Sequence, residues 1–301
     1  MKTHKSRAPV TVRALLQELR ERGMALLFLL AALASILSVG LICVFLFANG
    51  IPAMRRIGVP EFLLGRTWKP GNDIYGIFPM VLGSVYVTGG ALVLGVPIAL
   101  LTAVYLAYFC PQRLYRVFKP AVELLAGIPS VVYGFFGIVV LVPAVRALSE
   151  PLGGKGNSIA TASILLAIMI LPTIIGVVEP ALRAVPRSYY EGALALGATH
   201  ERSVYTAVVP AARSGVLAGI VLGVGRAMGE TMAVIMVAGN QARMPKGIFQ
   251  GIRTLTGNIV MEMGYAAGLH REALIATGVV LFLFILLINL AFSALKGRDR
   301  A

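Results

Sequence analysis

Long uncharged runs are the feature that most limits what this chain can fold into. A helix that crosses the hydrocarbon core of a bilayer needs roughly 20 mainly apolar residues, because every backbone polar group must be satisfied inside the helix. The 301 residues are 58% hydrophobic and only 13% charged, whereas an ordinary soluble domain has about 25% charged residues. The sequence therefore predicts an all-α membrane protein.

Six segments are long and apolar enough to cross a membrane. Five are uncharged, and the other, Ser214–Gly239, is apolar except for Arg226 and Glu230. The uncharged stretch Ile74–Pro111 is too short for two spans and a turn, so we expect an interfacial segment at Tyr75–Pro79 and then one helix. The predicted spans are Met24–Ala48, one helix within Ile74–Pro111, Leu124–Val145, Gly156–Val178, Ser214–Gly239 and Ala273–Leu295.

Basic residues are more frequent in one set of alternate loops, which predicts that the N- and C-termini are cytoplasmic. The net charge of +14 is spread over these short loops, which favours contact with lipid headgroups over binding of nucleic acid. The stretch Thr11–Arg22 has apolar residues at helical spacing opposite charged ones, which indicates an amphipathic helix on the cytoplasmic interface. A frayed polar tail is the alternative. We therefore divide the chain into a segment 1–23, a transmembrane domain 24–295 and a tail 296–301.

The loop after the fourth predicted span reads like a small soluble helix pair. Ser188 and Glu191 have the S-x-x-E spacing of a capping box, which predicts the start of a helix. Gly197 permits the left-handed turn that ends a helix, Thr199 can cap a second helix, and Pro210 should block its continuation. Local pattern supports a structural elbow and a docking element about equally. A DNA-binding helix-turn-helix is disfavoured, because tethering between two spans would keep a recognition helix from the major groove.

The same loop contains the pattern E-G-A, then a Gly four residues after the Ala, then a hydrophobic-Pro pair. This pattern resembles the EAA loop of ABC importer permeases. In that family the loop forms coupling helices that sit in a cleft of the cytoplasmic ATPase, which implies a coupling loop at 186–212. Ala is commonest where this chain has Gly192, and the glycine should loosen the helix slightly. The matching positions are Glu191, Gly192, Ala193, Gly197 and Pro210.

Three further motifs are YGIFPMVLGSVYVT from Tyr75, ELLAGIPSVVYGFFG from Glu123 and GRAMGETMAVIMVAGN from Gly225. Together they are similar to the phosphate-specific importer permeases. The ending GETMAV, rather than the GETAPL type, resembles the C-type subunit. The resemblance implies an ABC type I importer permease fold with six transmembrane helices in the cytoplasmic (inner) membrane. It also implies alternating access in a heterodimer with a homologous permease, two ATPase subunits that bind ATP and Mg, and an external phosphate-binding protein.

Arg226 and Glu230 are one helical turn apart in the fifth predicted span, where a charge is costly unless it is paired or faces water. Both share a helix face with Gly215, Gly219 and Gly223, so this face should pack on protein or a cavity. An ion pair that fixes helix register is one interpretation. In the other, the guanidinium offers donors to phosphate oxygens while Glu230 holds it in place and keeps binding weak. The resemblance favours the second, because the matching residues of phosphate permeases are associated with phosphate passage.

Other polar positions receive structural interpretations. Glu123 and Glu179 stand at predicted span ends, the latter with Arg183 four residues later, and we expect satisfied interfacial residues. Pro129 is expected to kink the third span. Trp68, in the loop before the second span, is either a headgroup-level aromatic or part of a surface for the external binding protein.

The sequence has no G-x-x-x-x-G-K-[ST] phosphate loop, no nucleophile constellation and no metal-ligand cluster. We therefore expect no enzymatic activity, no cofactor and no metal in this chain, with ATP hydrolysis on a partner. The main alternative is a permease for another oxyanion, molybdate or sulfate, which would share the coupling loop but should lack the charged pair. A channel or secondary transporter independent of ATP is a more distant alternative, and a membrane scaffold would leave the coupling loop unexplained.

Overall fold

The structure is a computed structural model and describes residues 12 to 297. Helix α1 (Val12–Ile57) runs without a break from the predicted interfacial segment through the first predicted span, so no helix end marks the expected boundary at residue 24. The part of α1 up to Asn49 forms a unit of its own. The large apolar side chains between Met24 and Phe45 are exposed, as expected for a helix surrounded by lipid. The predicted segment 1–23 and tail 296–301 lie partly outside the described residues.

The second unit starts at Gly50 and places a small hairpin before its first long helix. Helix α2 (Val59–Leu64) is followed by strands β1 (Trp68–Lys69) and β2 (Ile74–Tyr75), which pair antiparallel with Trp68 opposite Tyr75. Helix α3 (Phe78–Val104) then continues as a π-helical turn, Tyr105–Phe109. The second predicted span is confirmed as one helix, but the expected interfacial segment Tyr75–Pro79 is the end of β2 and the first turn of α3.

The third span begins later than the sequence predicted. Helix α4 (Gln112–Gly127) has no buried residue and ends before Ile128, which is extended. Pro129 then precedes the span, which consists of α5 (Ser130–Phe136), a π-helical turn Gly137–Leu141 and α6 (Val142–Ser149). Pro129 therefore separates two helices rather than kinking one. The physical reason is that proline disfavours helical backbone in the residue before it and has no N–H to donate.

Helix α7 (Ile159–Arg183) is the centre of the second unit. Of the most apolar stretch of α7, 67% is buried inside the protein. Helices α3 and α11 (Arg213–Gly229) pack along it. The side chains of Leu165, Leu166, Ile170 and Ile174 are almost fully buried. The remaining elements are α8 (Arg187–Ala195), α9 (His200–Ser203), a π-helical turn Val204–Val208, α10 (Val209–Ala211), α12 (Met232–Val237), α13 (Leu255–Glu262) and α14 (Gly268–Gly297).

The fifth predicted span is wrong in its second half. Its helix α11 ends at Gly229, Glu230 is extended, and α12 follows as a separate short helix. On its other side, α11 meets the helical stretch His200–Ala211 at a bend of 71°. Residues 12–297 thus hold five helices long and apolar enough to cross a membrane, or six if the bent pair is one span. The all-α membrane architecture is confirmed.

Candidate functional site

Arg226 is a half-buried cation near the end of α11. Its Nη1 donates a hydrogen bond to Oγ1 of Thr173 on α7 at 3.1 Å. The predicted pairing of Arg226 with Glu230 is not formed: among the described residues, no ion pair reaches the Arg226 guanidinium. A guanidinium has several N–H donors in one plane. The contact with Thr173 therefore leaves donors of Arg226 available for an anion.

Three glycines of α11 bring Arg226 against α7, as their shared face predicted. A Cβ at Gly215, Gly219 or Gly223 would lie 2.2, 2.7 or 2.8 Å from side-chain atoms of Ala181, Val178 and Ile174 respectively. Side chains larger than hydrogen at these positions would push the helices apart. The glycine face thus packs on protein, and the spacing of the three glycines sets the position of Arg226 along the axis of α7.

Glu230 has a different role from the expected one. Its backbone leaves the helical region, and its Oε1 accepts hydrogen bonds from the backbone N–H groups of Thr231 at 3.1 Å and Ala233 at 3.2 Å. A carboxylate in this position caps α12, because the first N–H groups of a helix have no partner in the helix. Thr256 also donates its hydroxyl to the Glu230 carbonyl oxygen at 3.2 Å. Helical spacing predicted the ion pair wrongly because it assumed that the helix continues through residue 230.

A second charged cluster surrounds Glu179 at the end of α7. The carboxylate is 2% exposed and accepts from Lys119 Nζ at 3.0 Å, from Tyr115 Oη at 3.2 Å and from Arg183 Nε. Arg183 also donates to the carbonyl oxygen of Leu106 at 2.8 Å. The predicted Glu179–Arg183 pair is present, but the sequence did not reveal that the carboxylate is buried. The cluster ties α4 and the end of α3 to the start of the predicted coupling loop.

The predicted coupling loop has the expected helix, glycine turn and helix. Gly197 follows α8 with a φ of +85°, and the Thr199 side chain accepts from the backbone N–H of Arg202 at 3.3 Å. The predicted capping box is wrong: the N-cap of α8 is Pro186, without a side-chain hydrogen bond. The prediction that Pro210 blocks the second helix is wrong, because Pro210 lies inside α10 and the helix ends only after Ala211. The π-helical turn just before Pro210 accommodates its missing N–H.

One face of the predicted coupling loop is exposed. Glu191 and Gly192 on α8 are exposed and Ala193 is half-buried, no atom lies within 4 Å of where a Gly192 Cβ would stand, and Leu196 is 91% exposed. These positions are therefore not covered by other described parts of the chain.

Aromatic contacts on the other side of α8 attach the loop to the helix bundle. The Tyr190 hydroxyl and His200 Nδ1 are 2.7 Å apart, joining α8 to α9. The His200 ring also packs edge-on against Phe109 at 4.6 Å between centroids, and the Tyr190 ring lies 5.8 Å from that of Tyr108. Sequence reasoning missed these contacts, because no local pattern relates the end of α3 to a loop so far along the chain.

A third cluster lies at the opposite end of the bundle, around Glu262 of α13. Its carboxylate accepts from Trp68 Nε1 at 2.8 Å and from Arg253 Nη1 at 2.5 Å, and it lies 2.8 Å from His270 Nε2. Burial raises the pKa of the Glu262 carboxyl, but the hydrogen bonds from Trp68, His270 and Arg253 outweigh it and hold the pKa below its usual value. Trp68 is 6% exposed, so the predicted headgroup or docking role for this side chain is wrong.

Comparison with known proteins decides the family. The model of the binding-protein-dependent transport system inner membrane component matches residues 95–298. The chain belongs to this family. The recognition of an importer permease from the sequence motifs is thereby confirmed. Within residues 12–297, no group of His, Cys, Asp and Glu side chains could hold a metal ion.

Several curated members of the family are similar over most of their length. The probable ABC transporter permease protein YqgH of Bacillus subtilis is 37% identical over 265 residues, 85% of each chain. Phosphate transport system permease protein PstC of Mesorhizobium japonicum is 33% identical, covering 86% of this chain and 84% of the relative. PstC of Haemophilus influenzae is 35% identical, with 76% and 78% covered.

Solved ABC importers share the fold. A bacterial ABC transporter involved in the import of the acidic polysaccharide alginate aligns with a TM-score of 0.62 and 14% identity, covering 94% of this chain and 98% of that one. The MetNI methionine ABC transporter in an inward-facing conformation aligns with a TM-score of 0.53 and 21% identity, covering 73% and 92%. At these identities the likeness concerns the fold alone, and it agrees with the predicted importer permease architecture.

Proposed function

We propose that this chain is the C-type permease subunit of an ABC importer for inorganic phosphate. The observation that carries the proposal is the Arg226 guanidinium, which is held in a membrane helix by the neutral hydroxyl of Thr173 at 3.1 Å. A cation in this position is costly without a counter-charge. A passing oxyanion supplies that charge, and the planar fork of donors fits the oxygens of phosphate. Relatives named as phosphate transport permeases over most of the chain support the same substrate.

Arg226 and Glu230 act at the same step in different ways. Arg226 offers donors to the anion, whereas Glu230 holds the junction of α11 and α12 by capping α12. Because the Glu230 carboxylate is occupied by backbone N–H groups, its charge limits anion binding through space rather than by pairing with Arg226. Transport requires binding that is weak enough for the anion to leave, so a single guanidinium with a negative group nearby in the chain suits a transient site.

The exposed loop around α8 and α9 connects the permease to the ATPase. Glu191, Gly192, Ala193, Gly197 and Pro210 belong to the coupling surface that contacts an ATPase subunit, and ATP and Mg bind on that partner. The full importer contains a second, homologous permease in a heterodimer, two ATPase subunits and an external phosphate-binding protein. With an even number of spans before the loop and both termini cytoplasmic, α8 and α9 lie on the cytoplasmic side.

Transport by the reconstituted complex tests the substrate and Arg226 together. We would measure ATP-dependent uptake of labelled phosphate into liposomes, with the binding protein outside and unlabelled sulfate or molybdate as competitors. Arg226→Gln should lower uptake about tenfold or more, as for loss of one charge-assisted contact, and Arg226→Lys should fall between. Arg113→Gln removes one positive charge from the exposed start of α4 and is the matched control.

Three results would contradict the proposal. Uptake of sulfate or molybdate in preference to phosphate would assign the chain to another oxyanion importer. Uptake that does not depend on ATP would indicate a channel or secondary transporter. Normal phosphate uptake by Arg226→Gln at wild-type membrane levels would remove Arg226 from the phosphate path.

A further inference from the structure

The Thr173 hydroxyl bonds across to a neighbouring helix, whereas several other hydroxyl groups of the long helices bond within their own helix. Serine and threonine in a helix commonly donate to the carbonyl oxygen four residues earlier, which satisfies the hydroxyl inside its own helix. Thr173 instead points across to α11, where its oxygen accepts from Arg226. Among the residues that the structure describes, its own proton reaches no acceptor. The hydroxyls that bond within their helix include Ser35, Ser38, Thr102 and Thr277.

Packing determines which α7 residue meets Arg226. The glycine face of α11 contacts Ala181, Val178 and Ile174 in turn along α7. Thr173 precedes Ile174 in α7 and is therefore farther from the coupling loop than the three glycine contacts. Arg226 follows the three glycines in α11, so it lies level with Thr173. The two helices therefore bring one cation and one hydroxyl together at a fixed separation, and neither has an acidic partner within residues 12–297.

We propose that Thr173 is a second residue of the anion path. Its hydroxyl oxygen orients the Arg226 guanidinium, and its O–H group donates a hydrogen bond to an oxygen of the passing phosphate. A threonine hydroxyl can accept and donate at the same time. Its acceptor role fixes the plane of the guanidinium, so that the remaining N–H groups and the O–H group face the same oxyanion. This inference rests on the proposed transport of phosphate and extends it to α7.

The test compares three variants in the complete importer, reconstituted with its binding protein. Thr173→Val keeps the volume and branching but removes the hydroxyl, and Thr173→Ser keeps the hydroxyl. Thr102→Val is the matched control, because Thr102 bonds only to its own helix, at the Ile98 carbonyl oxygen. The readout is labelled phosphate taken up per ATP hydrolysed, since a folding defect lowers uptake and hydrolysis together.

We expect Thr173→Val to lower phosphate uptake per ATP about tenfold, the size expected for one hydrogen bond to a charged group. Thr173→Ser should stay within about twofold of the wild type, as should Thr102→Val. In an Arg226→Lys background, Thr173→Val should have a smaller effect than in the wild type, because lysine lacks the planar guanidinium that Thr173 orients.

Other outcomes would overturn the inference. Equal losses in Thr173→Val and Thr173→Ser, a parallel fall of uptake and ATP hydrolysis, or failure of Thr173→Val to assemble would assign Thr173 to helix packing. Full additivity with Arg226→Lys would mean that the two residues act separately. These failures differ from failure of the proposed function, in which the wild-type complex itself would not take up phosphate.

Discussion

Glu179 and Arg226 are both charged groups that bond at helix α7, but they differ in how many partners their own chain provides. Glu179 is 2% exposed and has Lys119, Arg183 and Tyr115 as donors. Arg226 comes from α11 and meets the neutral Thr173 hydroxyl. A buried charge with a complete set of partners can only be disturbed at a cost, whereas an incompletely matched charge can accept a mobile partner. The two positions show that one chain can satisfy a buried charge fully with its own side chains and leave another with donors free for an outside partner.

The largest expected effect comes from removing the satisfied charge. Glu179→Ala removes the buried carboxylate that Lys119 and Arg183 share, and breaking a buried pair in this way costs about 3–5 kcal/mol. Because Arg183 is 45% exposed, solvent screening should bring the loss to about 3 kcal/mol. We expect a large drop in the thermal midpoint of the purified complex, or loss of the chain from the membrane.

Glu123 provides a matched control for that prediction. It lies 3.7 Å from the same Lys119 but is 65% exposed, so Glu123→Ala should cost only about 0–1 kcal/mol. A Glu179→Ala complex as stable as the Glu123→Ala complex would mean that the buried cluster does not hold α4 to α7.

A smaller effect is expected at the glycine face that positions the unsatisfied charge. A Cβ in Gly215→Ala would stand 2.2 Å from the Cβ of Ala181, and such overpacking costs about 1–3 kcal/mol. Since the helices must separate, the Arg226–Thr173 contact should lengthen, and phosphate uptake per ATP should fall as well as the thermal midpoint.

Gly225 is the control on the same helix. A Cβ there meets no atom within 4 Å, and alanine is favoured over glycine in a helix by about 0.8–1 kcal/mol. Gly225→Ala should therefore be neutral or stabilising and should transport normally. If both alanine variants behaved alike, close approach of α11 to α7 would not be what positions Arg226.

Sequence reasoning succeeded where one physical rule acts alone. Run length gave the long helices, spacing gave the glycine face of α11, and Gly197 and Thr199 gave the turn and the cap of the α8–α9 loop. It failed where two rules competed. At Glu230 apolar periodicity favoured continuing α11, but the carboxylate satisfies the N–H groups of a new helix instead.

Contacts between distant parts of the chain had no local signal. Trp68, Arg253 and His270 meet Glu262 from three separate segments, and nothing in the spacing of these residues predicts their meeting. The same is true of the contact between Thr173 and Arg226, which depends on which turn of α7 faces α11. The coupling residues and the cytoplasmic orientation stay predictions, because they concern partners and a membrane rather than contacts inside this chain.

Glu262→Gln is the mildest of these changes, because the amide keeps the shape of the side chain and one acceptor oxygen, and it extends the comparison to pH. The folded pKa of the Glu262 carboxyl lies below the usual value of 4.5, so the unfolded chain binds the proton more readily, and stability is lost as the pH falls from 4.5 through the folded pKa. Glu262→Gln should be less stable than the wild type near neutral pH, and the gap between their thermal midpoints should narrow on acidification. Trp68→Phe removes one donor but keeps the carboxylate, so it should retain the acid sensitivity. A gap that stayed constant with pH would mean that the Glu262 charge is not what this cluster stabilises.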